Sequence, residues 1–241
     1  MAIRFSNTFL LRKLHQLTGI VPLGVFYAVH LYTNSTALNG PKVFNDHVGG
    51  IHEIPYLLFV EVLGIFVPLM FHSIYGILIS GEARMNTGAY PFARNWFYVL
   101  QRVTGGYLFF FLLFHILNFR FGLIPGLNLT PVAGHADQAY AIVSNEFHMT
   151  WVMIVYILGL LCTAWHLAYG LFLFAVDWGI VIGEKAQKVA LYASLALAVF
   201  LGVTGINAAV GFVKPCGLLP NSLCAEPRLT TDRPPQGSGK L

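Results

Sequence analysis

The chain has 241 residues, 56% of them hydrophobic and only 10% charged, with a net charge of +4 and a mean hydropathy of +0.68. A soluble domain of this size carries about a quarter charged residues. Composition therefore excludes a water-soluble fold and places the chain in a membrane.

The N-terminal segment "MAIRFSNTFLLRKLHQLTGIVPLGVFYAVHLY" opens with basic residues, but its apolar part is long and lacks an A-x-A-like cleavage site, so it reads as a retained helix and not as a signal peptide. Five apolar stretches follow, at about 13–32, 57–80, 97–119, 150–176 and 189–212, each near the roughly 20 residues that a bilayer-spanning helix needs. They predict an all-α membrane protein with one transmembrane domain over residues 1–212 and a tail over 213–241. Arg4, Arg12 and Lys13 precede the first span, Arg84 and Arg94 separate the second from the third, and Lys185 and Lys188 separate the fourth from the fifth. The alternate loops carry only Lys42 and Arg120, so the positive-inside rule predicts a cytoplasmic N-terminus and an outer C-terminus in the cell membrane. The tail is rich in Pro, Gly and charge, which argues against a packed element. Its Cys216 and Cys224 lie where a disulfide is permitted, with two free thiols as the alternative, and Cys162 in the fourth span reads as a small buried apolar residue.

Nine histidines are present, and His30, His72, His115 and His166 fall one on each of the first four spans. An ionisable ring in hydrocarbon is costly, and intramembrane ionisable residues mark functional sites by default. At about 1.5 Å rise per residue, His30 and His115 lie roughly 10 Å outside the midplane and His72 and His166 roughly 5 Å inside it, giving two pairs about 15 Å apart. Paired neutral imidazoles inside a four-helix bundle suit bis-histidine haem b. Zinc and copper sites usually add Cys, Asp or Glu, and none sits beside these histidines. Two haems b are the expectation.

"HSIYG" at 72–76 and "HLAYG" at 166–170 place Gly76 and Gly170 one turn from a histidine on the same face, where ring clearance or close helix approach would favour glycine. Gly19 lies on the face of His30, eleven residues earlier, and Thr104 holds the same offset from His115. "HQLTG" at 15–19 echoes "QRVTG" at 101–105, so helices one and two resemble helices three and four around a pseudo-twofold. The fifth helix has no histidine and is expected to pack against the bundle.

"FLLRKLHQLTGIVPLGVFYAVHLYTN" and "RNWFYVLQRVTG" resemble the single-chain cytochrome b subunit of succinate:quinone oxidoreductases, the five-helix di-haem b558 type also found in quinol:fumarate reductases, over about residues 4–212. The outer tail with two cysteines departs from that pattern. The resemblance implies a membrane anchor for a flavoprotein subunit carrying FAD and an iron–sulfur subunit, both on the cytoplasmic face. It also implies His72 and His166 as ligands of the inner haem, His30 and His115 as ligands of the outer one, and a quinone, by family habit menaquinone, as electron acceptor. It implies no nucleic-acid partner, and leaves open a higher oligomer of the complex. Glu61, roughly 16 Å further out than His72, is expected to exchange protons with a quinone beside the outer haem, the alternative being a hydrated acid. Arg12, His15, Arg84 and Arg102 are expected to pair haem propionates or contact a quinone, although the positive-inside rule also asks for cations there. His47, His52, His135 and His148 read as solvated loop residues. The rival readings are the cytochrome b anchor of a hydrogenase or formate dehydrogenase, and a transporter moving protons through its intramembrane histidines.

Overall fold

The computed structural model describes residues 8–220. Among these residues all regular structure is helical, and five helices are long and apolar enough to cross a membrane: Thr8–Asn39, Leu57–Gly81, Ala93–Arg120, Thr150–Asp177 and Glu184–Gly211. The first, third and fifth begin before their apolar stretches, because segments such as "ARNW" and "EKAQK" are polar yet compatible with helix. Cys224, for which the sequence allows a disulfide with Cys216 or a free thiol, lies outside the described residues.

Three interruptions have local causes. The first span breaks at Val21, where Pro22 opens a second helical segment; proline removes one backbone donor and crowds the carbonyl four residues earlier. In the second span Pro68 removes the donor that would reach Gly64, and the turn ahead of it, Val62–Phe66, is π-helical. The third span ends in a second π-helical turn, Ile116–Arg120. Gly122 follows at φ +63°, and a Cβ there would collide with the Leu129 carbonyl, so the reversal requires glycine.

The first four spans close a ring: the lower half of span one packs on spans two and four, span two on three, and span three on four. Span five lies outside this ring, along span four and the upper half of span one. Its Gly202 and Gly205 face Leu161 and Leu160, and Ser194 Oγ donates to the Ala168 carbonyl at 2.8 Å. Small residues allow this approach where no hydrophobic effect drives helices together. Residues such as Met70, Phe110 and Val199 stay exposed on the outer surface of the bundle, as lipid-facing side chains do.

Beyond the ends of spans one and three, the chain builds a packed cap that the hydropathy pattern does not register. Helices Pro41–His52 and Ala139–Phe147 bury Phe44, Val48, Ile142, Val143 and Phe147 against Phe212. Ser144 Oγ donates to the Phe212 carbonyl at 2.7 Å and the Tyr140 hydroxyl to the Gly211 carbonyl at 3.1 Å, tying the cap to the end of span five. His47, His52, His135 and His148 belong to this region, each with Nδ1 within 3.0 Å of the carbonyl four residues earlier. His52 and His148 are exposed, whereas His47 and His135 are half-buried.

Candidate functional site

The four intramembrane histidines meet in two layers inside the ring. His72 and His166 have ring centroids 6.3 Å apart, and His30 and His115 have theirs 5.7 Å apart, each pair edge to face. All four rings are only half-buried although they project from packed helices. Two imidazoles binding one metal from opposite sides, with bonds of about 2.0 Å, hold their centroids about 6 Å apart, so both pairs fit a bis-histidine metal centre. Among the described residues no group of three or more His, Cys, Asp and Glu side chains is placed to hold a metal ion. Each layer offers two imidazoles.

Three of these rings are oriented by their second nitrogens. His72 Nδ1 lies 2.9 Å from the His15 carbonyl, and His166 Nδ1 lies 3.2 Å from the Gln101 carbonyl and 3.4 Å from Thr104 Oγ1. His115 Nδ1 lies 3.2 Å from the Tyr156 hydroxyl. A carbonyl only accepts, so Nδ1 carries the proton in His72 and His166, and Nε2 is left with its lone pair for a metal.

The twofold echo in the sequence now acquires a physical meaning. His15 and Gln101, which open "HQLTG" and "QRVTG", supply the two carbonyls that orient His72 and His166. Gly19 and Gly105, which close those motifs, make room for the same two rings: a Cβ on Gly19 would stand 2.5 Å from His72 Cε1, and one on Gly105 would stand 2.9 Å from His166 Cε1. Gly76 and Gly170 in turn face His15 Cε1 at 3.0 Å and Gln101 Nε2 at 3.5 Å. Gly19 therefore serves the ring of His72 in the next helix, not His30 in its own, and Gly76 and Gly170 contact the residues whose carbonyls orient the histidines. Gly105 could have been found from the repeat. The orienting role of the two carbonyls could not, because it belongs to backbone atoms.

His15 joins the inner layer more closely than sequence position indicated. Its ring stacks on His72 at 4.1 Å between centroids, and its buried Nδ1 has no hydrogen bond. Arg102 places its guanidinium 3.3 Å from the Tyr98 ring centroid and leaves Nε buried without a hydrogen bond. Arg12, near enough for its charge to act on Arg102, is ion-paired with Glu82 at 2.8 Å on the exposed rim. Arg84 is exposed. The His15 and Arg102 nitrogens are two orphaned buried polar atoms at this end of the bundle.

At the other end, Glu61 is paired with a cation. Its Oε2 lies 2.7 Å from Arg120 Nη2, with the side chains 20% and 35% exposed. The Glu61 position immediately precedes the π-helical turn of span two, and Arg120 closes that of span three, so the two irregular turns are joined by an ion pair. π-helical turns recur at functional sites. The sequence reading also passed over Glu146, whose residue is 1% exposed and whose Oε2 accepts from Asn118 Nδ2 at 2.5 Å while Oε1 accepts from the Asn128 backbone at 3.2 Å. Burial pushes this carboxyl above the usual carboxylate range, against the two hydrogen bonds.

Over 208 residues the chain is 34% identical to the succinate dehydrogenase cytochrome b558 subunit of Bacillus subtilis (strain 168), an alignment covering 86% of this chain and 98% of that protein. Residues 83–205 match the succinate dehydrogenase/fumarate reductase transmembrane subunit family. The chain belongs to this family. It is thus the multi-pass membrane subunit of a succinate dehydrogenase/fumarate reductase complex. The segment matched to the family carries Arg84, Gln101, Arg102, Gly105, His115 and His166, half of each histidine layer.

Proposed function

We propose that the chain is a di-haem cytochrome b, with His72 and His166 holding an inner haem and His30 and His115 an outer one. The observation that carries this reading is the pairing of four half-buried imidazoles in two layers at metal-bridging separations. The cytochrome b558 name of the Bacillus relative agrees with it. Bound there, two haems b supply a one-electron relay across the membrane, from an iron–sulfur partner subunit to a quinone.

The residues divide the remaining work. The His15 and Gln101 carbonyls hold the inner rings in the tautomer that leaves Nε2 free, and Gly19 and Gly105 keep those rings uncrowded. Arg12, Arg84, Arg102 and His15 gather positive charge and N–H donors at the inner end, where haem carboxylates would be neutralised. The distribution of Lys and Arg supports a cytoplasmic position for this end, the face on which the FAD-bearing flavoprotein and the iron–sulfur subunit would dock. Glu61 and Arg120 form the polar group of the outer layer suited to a quinone headgroup, the guanidinium binding an oxygen and the carboxylate moving a proton. Menaquinone is the quinone we assign, and succinate oxidation the direction, the latter on the name of the relative. The hydrogenase, formate dehydrogenase and transporter readings gain no support from these comparisons.

A reduced-minus-oxidised spectrum of membranes carrying the complex tests the reading. His72→Ala or His166→Ala is expected to remove one b-type component, and His30→Ala or His115→Ala the other. Loss of the same component from His30→Ala and His72→Ala would overturn the pairing.

A further inference from the structure

We propose that Glu146 is a positioning residue for the outer histidine pair, acting on His115 through a buried polar strut made by Asn118 and Tyr156. This rests on the assignment of His115 as an outer haem ligand. Glu146 belongs to the cap helix Ala139–Phe147, Asn118 to the π-helical end of span three, and Tyr156 to span four, so the strut joins three separate elements. Its members are 1%, 1% and 5% exposed. Glu146 Oε2 accepts from Asn118 Nδ2 at 2.5 Å, the Asn118 side chain neighbours the Tyr156 hydroxyl, and that hydroxyl lies 3.2 Å from His115 Nδ1. Asn118 Oδ1 makes no hydrogen bond of its own, which leaves the Nδ2 contact with Glu146 to decide which way the amide points.

The energetics explain why such a strut would exist. A buried carboxyl and a buried amide each cost free energy unless partnered. Placing them here is unfavourable for packing alone, since an apolar pair of similar volume would fill the same space. What the polar pair adds is direction. Glu146 is anchored by the Asn128 backbone at 3.2 Å, it sets the Asn118 amide, and that amide neighbours the hydroxyl that meets the His115 ring. Phe147 of the same cap helix packs on Tyr156 at 4.8 Å between centroids, and Phe111 and Phe119 flank His115 at 6.0 and 5.7 Å, so the ring has little freedom once Nδ1 is held. His30 and His115 stand at 81° to each other, an angle that the strut would preserve. Outer groups bonded to a metal-bound histidine orient the ring and tune the metal.

The angle between two axial imidazole planes sets the anisotropy of a low-spin ferric signal in electron paramagnetic resonance, so orientation can be read without activity. Using the whole complex in membranes, Glu146→Leu is expected to shift the outer-haem signal and the outer midpoint potential while leaving the inner signal in place. Glu146→Gln, whose carbonyl can still accept from Asn118, is expected to restore most of the wild-type outer signal. Tyr156→Phe, which keeps the ring and removes one hydroxyl, is expected to reproduce the Glu146→Leu shift, and the double variant to add nothing to it. An unchanged outer signal in Tyr156→Phe, or additive shifts in the double variant, would overturn the strut even if Glu146→Leu sheds the outer haem or fails to assemble. If His115→Ala removes no signal at all, the haem assignment itself falls and the strut with it, a result distinct from two haems with unaltered outer geometry.

Discussion

Single atoms decide most of the inner layer. An added methyl at Gly19 or Gly105 would push into an imidazole, and overpacking of this kind costs about 1–3 kcal/mol. Gly170 differs, because its Cβ would meet only Gln101 Nε2 at an ordinary 3.5 Å. Gly19→Ala and Gly105→Ala are therefore expected to lower retention of the inner haem on mild detergent washing. Gly170→Ala is expected to be neutral or to gain up to about 1 kcal/mol from the stiffer helix. Equal losses at all three positions, followed by the inner b-type absorbance, would contradict this. Glu146 offers a second residue-scale outcome. Its folded carboxyl binds a proton more tightly than in the unfolded chain, so its contribution to stability is present in full below the unfolded value, about 4.3, and is lost as pH rises through the higher folded one. Thermal stability of the complex is expected to decline less steeply with rising pH in Glu146→Gln than in the parent chain, as measured by loss of folded protein on heating at a series of pH values.

At the scale of elements, the Glu61–Arg120 pair and the fifth span make separable claims. The ion pair holds the π-helical turns of spans two and three together, so removing one partner leaves a charge at membrane depth. Because both side chains are partly exposed, the loss is expected to be about 1–3 kcal/mol, below the 3–5 of a fully buried pair. Glu61→Gln is expected to keep both haems and succinate oxidation with an artificial acceptor, and to lose most quinone turnover. Replacing both residues by Gln should recover the stability without the turnover. Recovery of turnover in the double variant would confine the pair to a structural role. Span five carries no histidine, yet its Gly205 stands where a Cβ would lie 3.0 Å from Leu160 Cδ2. Gly205→Leu is expected to loosen this helix and lower thermal stability by about 1–3 kcal/mol, with the two b-type components unshifted.

Across the whole molecule, apolar runs and the placement of four histidines made much of the architecture legible, because a membrane leaves few alternatives to a helix. The five expected spans agree with the five long apolar helices, and His30 lies beside His115 and His72 beside His166. The cap was not legible: "PKVFNDHVGGIH" and "AYAIVSNEF" have ordinary composition, and their burial depends on Phe212, far along the chain. For the same reason Glu61 read as solitary and Glu146 went unremarked. Each finds its partner, Arg120 or Asn118, across intervals of 59 and 28 residues, and nothing in a local window announces such a meeting. The helix break at Val21 and the two π-helical turns were likewise absent from the hydropathy reading, although Pro22 and Pro68 marked two of the three.

The division of roles between the two halves has a consequence for symmetry. Each hairpin of two helices orients its own inner histidine through its own backbone, His15 to His72 and Gln101 to His166, yet each histidine layer takes one ring from either hairpin. A solitary hairpin therefore owns every part of the orienting scaffold and completes neither site, whereas two copies side by side complete both at once. His15 in one half against Gln101 in the other is an asymmetry that a single chain can carry and a symmetric dimer of identical hairpins cannot.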